Sequence, residues 1–105
     1  MEPEQRFYTS QRLRLSYVVW GDERKPPVVL VHGGRDHARN WDFVAQALMP
    51  EWSVYAVDLR GHGDSEWAKG SMYSMPEFTA DLATFIDHLD RGQVSLVGHS
   101  LGGGV

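Results

Sequence analysis

The chemistry-bearing residues gather in three short stretches, and the last of them is the most specific. An apolar run, Val94-Ser95-Leu96-Val97, leads directly into Gly98-His99-Ser100-Leu101-Gly102. Glycine two before and two after a serine describes a sharp strand-to-helix turn, because side chains at those positions would crowd the strained tip. A hydroxyl on such a tip stands clear of the sheet as a candidate nucleophile. The next residue, Leu101, can turn its backbone N–H toward a developing oxyanion. Read instead as a phosphate loop, the segment fails: no lysine follows, and neither Gly-x-Gly-x-x-Gly nor Gly-x-x-x-x-Gly-Lys-Ser spacing is present. His99 precedes the tip, points away from the hydroxyl, and is read as lining the pocket or packing beneath the turn. The other two stretches are His32-Gly33-Gly34-Arg35-Asp36-His37 and Asp58-Leu59-Arg60-Gly61-His62-Gly63-Asp64-Ser65.

The intervening segments must position these loops. Val28-Val29-Leu30-Val31, Ser53-Val54-Tyr55-Ala56-Val57 and Val94–Val97 are short apolar runs of the kind buried on both faces of a parallel sheet. Between them, Trp41, Val44, Ala45 and Leu48 recur at helical spacing, with Asn40 or Asp42 as a cap and Pro50 as a stop. A second helix is predicted to open at Ser74, three residues before Glu77, with Pro76 in its first turn. Phe78, Leu82, Phe85, Ile86 and Leu89 form its apolar face, and Gly92 closes it. Leu13–Trp20 reads as a strand or hairpin arm, and residues 1–12 as a polar lead-in. Strand and helix alternation of this kind predicts an α/β fold, a mostly parallel sheet with crossover helices. All three loops then fall at the carboxyl ends of strands, where such sheets carry their chemistry.

The chain as a whole narrows the partners. Its 105 residues suffice for one domain, and 42% hydrophobic with 23% charged residues is ordinary globular composition. A net charge of −4 with scattered lysines and arginines speaks against nucleic acid. There is no cysteine, hence no disulfide framework or thiolate metal site, and no His-Glu-x-x-His spacing for a metal. Neither a signal-peptide core nor a membrane-length apolar run is present, so the expected setting is cytoplasmic.

Taken together and in order, Val28–Gly34, Trp41, Val57–Ser65 and Gly98–Gly103 resemble the α/β-hydrolase superfamily, and the match runs over nearly the whole chain. The resemblance implies that residues 1–105 are the amino-terminal part of a single α/β-hydrolase domain. Leu13–Trp20 would belong to the antiparallel start of the sheet, and the three apolar runs would be its third, fourth and fifth strands. The third and fifth are neighbours in that fold, which sets the His32-Gly33-Gly34 loop beside the serine turn. It further implies Ser100 as nucleophile and the backbone N–H groups of Gly34 and Leu101 as the oxyanion hole. His32, Gly33 and His99 are left to support the loops or line the pocket. His32 is expected to bond within its own loop rather than act as a base. Asp58 and Asp64 belong to a structural loop, where Asp58 and Arg60 hold backbone and neighbours.

A serine nucleophile needs a base and an orienting acid, and in this family both follow it in sequence. The expectation is therefore a serine hydrolase of a carboxylic ester or related acyl bond, using a small-molecule acyl substrate and no cofactor. It would be competent only with the remaining carboxy-terminal part, in the same chain or a second one. Alone, the 105 residues are expected to be inactive, aggregation-prone, and bare along one sheet edge. Carbon–carbon bond hydrolases, lactonases and cofactor-free perhydrolases share these signatures. Dehalogenase and epoxide-hydrolase branches carry aspartate where Ser100 stands. A non-catalytic ligand-binding or interaction protein on the same fold is the rival from another class.

Overall fold

A computed structural model describes residues 3–32, 38–63, 65 and 75–98. Five strands form one mixed sheet: β1 (Glu4–Ser10), β2 (Leu13–Trp20), β3 (Pro27–Val31), β4 (Ser53–Val57) and β5 (Ser95–Gly98). Their spatial order is β1-β2-β4-β3-β5. The first three are antiparallel neighbours, whereas β3 runs parallel to β4 on one side and to β5 on the other. The predicted adjacency of the third and fifth strands is present, with Val31 opposite Gly98.

Residues 4–10 correct the reading of a polar lead-in. All of Glu4–Ser10 pairs with β2, out to Ser10 opposite Leu13. The connection is Gln11-Arg12, and both residues have positive φ (48° and 69°). A tight hairpin with two left-handed central residues normally announces itself through Asn-Gly or Asp-Gly, and here it does not. The strand is also polar, since only Tyr8 and Ser10 are buried along it.

Alternation along β3 and β4 divides the interior into two layers. Val29, Val31, Tyr55 and Val57 face Phe78, Leu82 and Phe85 of helix α2 (Met75–Leu89), together with Tyr8, Leu15, Tyr17 and Val19. Val28, Leu30, Val54 and Ala56 face the other way, with Val18, Trp20, Ala38 and Ala45. The step from β3 to β4 is reversed by the step from β4 to β5, and the two connecting helices accordingly cover opposite faces.

The first helix starts differently from its prediction. A 3-10 turn (Ala38–Trp41) precedes α1 (Asp42–Leu48), whose N-cap is Trp41 without a side-chain cap. Asp42 instead accepts from Arg39, with Nε 2.8 Å from Oδ2. Ala45 is the buried residue of this helix, Leu48 packs partly, and Val44 is exposed beside Phe43. The chain leaves α1 at Met49, whose N–H donates to the Ala45 carbonyl, and Pro50 follows. Helix α2 stops at Leu89, earlier than Gly92, because Asp90 itself takes up a left-handed conformation (φ 52°). The predicted capping serine, Ser74, lies outside the described residues.

Strand β5 is exposed along its length, with Leu96 and Val97 among the exposed large hydrophobics, so the expectation of a third buried strand is corrected. Among the described residues it pairs only with β3.

Candidate active site

The site is organised by the carboxyl ends of β3, β4 and β5. Val31 stands opposite Val57 on one side and Gly98 on the other. The chain therefore leaves the sheet at one level in three adjacent places: into His32, into Asp58, and past Gly98. Adjacent strands are about 4.8 Å apart, so the three connections start side by side. Of the predicted site residues, Ser100, Leu101, His99, Gly33 and Gly34 lie outside the described residues, as does Asp64. His32, Asp58 and Arg60 are described.

His32 is buried, and its Nε2 accepts the Leu59 N–H at 3.0 Å. That bond requires an unprotonated Nε2, and it occupies the lone pair a general base would use. The imidazole thus ties the end of β3 to the loop after β4, where the sequence reading had it bonding within its own loop. Its ring lies 5.0 Å from that of His62, which in turn faces Phe78 at 6.3 Å. His62 is oriented by its Nδ1, 2.9 Å from the Arg60 carbonyl, which makes this nitrogen the donor.

Asp58 is buried against backbone. Its Oδ1 accepts the Ala38 N–H at 2.7 Å, and its Oδ2 accepts the Ser16 hydroxyl. The Asp58 N–H donates to the Ser16 carbonyl at 2.9 Å. Ser65 closes the arrangement by donating to the Asp58 carbonyl at 2.7 Å and accepting the Ser16 N–H at 2.8 Å. Gly63 sits so close that a Cβ there would lie 2.3 Å from Asp58 Oδ1, which is why this position is glycine. Such a carboxylate organises loops.

Arg60 is equally buried and forms a two-point pair with Asp81 of α2: Nε to Oδ2 at 2.6 Å and Nη2 to Oδ1 at 2.8 Å. Ser10 of β1 donates to the same carboxylate at 2.6 Å. Sequence reasoning did not single out Asp81, Ser16 or Ser65. A signal existed for the first: Asp81 falls within the stripe Phe78, Leu82, Phe85, where a charge demands a buried partner. No group of three metal-ligating side chains occurs among the described residues.

Comparisons with known proteins agree with this architecture. The profile of the family described as alpha/beta hydrolase fold matches residues 26–105. The 3-hydroxybutyrate-oligomer hydrolase of Cupriavidus necator is 38% identical over 92 residues, covering 86% of this chain and 31% of that protein. Among solved structures, a thioesterase domain from the curacin biosynthetic pathway is similar with a TM-score of 0.92 at 31% identity, over 97% of this chain and 38% of that one. An epoxide hydrolase from Vigna radiata is similar with a TM-score of 0.89 at 31% identity, over 96% of this chain and 33% of that one. The chain spans about a third of the length of these relatives. With its sheet order, its two helical layers and a family match from Pro26 to Val105, the chain belongs to the alpha/beta hydrolase fold family.

Proposed function

We propose that the protein carrying this chain hydrolyses a carboxylic ester or a related acyl bond through Ser100. The observation that carries the reading is the pairing of Val31 with Gly98. It brings the exit of β3, three residues before Gly34, next to the exit of β5, two residues before Ser100. Two backbone N–H groups and a hydroxyl converging on one carbonyl are what acyl transfer needs. Ser100 Oγ would attack the carbonyl carbon while a histidine takes its proton, and the Gly34 and Leu101 N–H groups would hold the oxyanion. The leaving group departs with that proton, and water then releases the acid from the acyl-serine. His32 and Asp58 are committed to holding loops, so the histidine and its orienting acid would come from elsewhere in the protein. Alone, this stretch is expected to lack activity.

The relatives support acyl chemistry in name: one acts on 3-hydroxybutyrate oligomers and one is a thioesterase domain. The epoxide hydrolase shares the fold, but serine at position 100 does not match the aspartate expected of that branch. The test is fluorophosphonate labelling of the complete protein together with turnover of an activated ester. Labelling at Ser100, and loss of both signals in Ser100→Ala, is the expected result. A folded protein that neither labels nor turns over ester would instead indicate a binding function.

A further inference from the structure

Towards the amino ends of the parallel strands, away from the three loops, four separate elements converge around one carboxylate. Glu23, in the connection between β2 and β3, accepts from Arg6 of β1 at two points: Nη1 to Oε2 at 3.0 Å and Nη2 to Oε1 at 2.6 Å. The Tyr55 hydroxyl of β4 donates to the same Oε2 at 2.9 Å. That hydroxyl in turn accepts Arg91 Nη1 at 2.9 Å, from the connection between α2 and β5. The side chains of Arg6 and Glu23 remain 37% and 41% exposed, so the group opens to solvent.

The donors are held independently of the carboxylate they surround. Arg91 is fixed by Nη2 on the Lys25 carbonyl at 2.7 Å and by Nη1 on Ser53 Oγ at 3.3 Å. Tyr55 is buried in its strand, and Arg6 Nε is engaged by Glu4. Withdrawal of Glu23 would therefore leave the constellation standing. Its charges are also unevenly matched. Arg6 has two acidic partners, whereas the bonds of Arg91 among the described residues go to neutral oxygens, although a guanidinium stays charged. The surroundings favour an anion: bonding to Arg6 holds the Glu23 carboxyl below its ordinary range against the cost of partial burial, helped by Tyr55 and by the charge of Arg91.

We propose that Arg6, Tyr55 and Arg91 form a binding site for a phosphate group, in which Glu23 is the tethered occupant. A phosphate monoester carries close to two negative charges and three acceptor oxygens. It can accept from Arg6 and Tyr55 as Glu23 does, and it supplies the second charge that Arg91 lacks. A tethered group competes at an effective concentration in about the millimolar range, so Glu23 keeps the native site weak. The site uses neither Ser100 nor the loops at the other end of the sheet, which makes its test independent of the hydrolase reading.

The experiment is calorimetric titration of the complete protein with inorganic phosphate, at an ionic strength held constant with chloride. Melting temperatures without phosphate establish that each variant is folded. Glu23→Ala removes the competitor and is expected to lower the half-saturating phosphate concentration by roughly 10-fold or more. Adding Arg6→Gln and Arg91→Gln to Glu23→Ala should abolish the binding. Arg24→Gln changes an exposed arginine of the same connection, paired with Asp22, and should leave it unaltered. If Glu23→Ala does not fold, the native protein is compared with Arg91→Gln, and its weaker phosphate binding should disappear in the variant. Folded Glu23→Ala that takes up no phosphate overturns the proposal. So does binding that survives the loss of both Arg6 and Arg91, or, in the fallback, native protein and Arg91→Gln that behave alike.

Discussion

Arg60 and Asp81 are each 1% exposed and meet through two hydrogen bonds, so the loop after β4 is tied to the middle of α2 by a fully buried ion pair. The attraction between such charges is offset by the cost of removing both from water. What counts is the asymmetry between losing one partner and losing both. Arg60→Met alone leaves the Asp81 carboxylate buried beside only Ser10, and is expected to destabilise the domain by about 3–5 kcal/mol. Replacing the whole group, Arg60→Met with Asp81→Leu and Ser10→Ala, should recover most of that loss. Urea unfolding of the single and triple variants measures both quantities, and a triple variant less stable than the single would contradict the account.

The loop geometry makes a second, separable prediction at glycine. Gly63 and Gly92 both have positive φ, 51° and 70°, so alanine at either carries the backbone cost of about 1 kcal/mol. A Cβ at Gly92 meets nothing within 4 Å, whereas one at Gly63 presses on the Asp58 carboxyl group. Gly63→Ala should therefore cost about 1–3 kcal/mol more than Gly92→Ala, the range of overpacking in a tight interior. Thermal melts of the two variants side by side decide it. Equal losses would mean that Asp58 moves aside freely.

The contrast between those two glycines shows how far the sequence could be read. The first two apolar runs were legible because a parallel strand buried on both faces must be continuous, as Val28–Val31 is, whereas the third forms a strand that lies exposed. Their spatial neighbours were not legible from periodicity, and the adjacency of the third and fifth strands entered only through the family resemblance. Strand β1 was hidden for a physical reason. Glu4–Ser10 buries little of its length, and the Gln11-Arg12 turn adopts left-handed conformations without the residues that favour them. In α1, Val44 fits the helical spacing yet lies exposed, because a seven-residue helix entered through a 3-10 turn rotates its face away from ideal periodicity. Asp81 shows the reverse: a polar residue in an apolar stripe whose partner, Arg60, comes from a loop that no local pattern connects to it. The proposed nucleophile and oxyanion positions, Ser100, Gly34 and Leu101, rest on the sequence motif and on the family resemblance.

Helix α1 supplies a third prediction, since two of its residues differ sharply in surroundings. Phe43 is 89% exposed and Ala45 is fully buried against the sheet. Phe43→Ser should change stability by no more than about 0.5 kcal/mol, as surface replacements generally do. Ala45→Asp would bury an uncompensated charge among Val28, Leu30 and Ala56, and should cost about 3 kcal/mol or more. Chemical denaturation of both variants checks the orientation of the helix. A large loss at Phe43 would show that a further part of the protein covers that face.

The last prediction concerns alkaline pH and the tyrosines packed beneath α2. Tyr8 is 6% exposed, with its ring 5.1 Å from Phe85 and 6.0 Å from Tyr17. Burial, reinforced by the nearby Asp81 carboxylate, pushes the Tyr8 phenol well above its ordinary value of 10.0. Burial also raises Tyr17 and Tyr55, in the latter case helped by the Tyr55 hydroxyl donating to Glu23. The folded state thus favours neutral phenols, while the unfolded chain ionises near pH 10. The stability these groups contribute is complete below pH 10 and is lost as pH rises from there toward the folded values. Each tyrosine still neutral in the fold removes about 1.4 kcal/mol per pH unit above that point. Tyr8→Phe deletes one of them and should flatten the decline by that amount between about pH 10 and 12, with little change at neutral pH. Urea unfolding across this range measures the slope. An unaltered slope in Tyr8→Phe would show that Tyr8 ionises in the folded protein as readily as in the unfolded one.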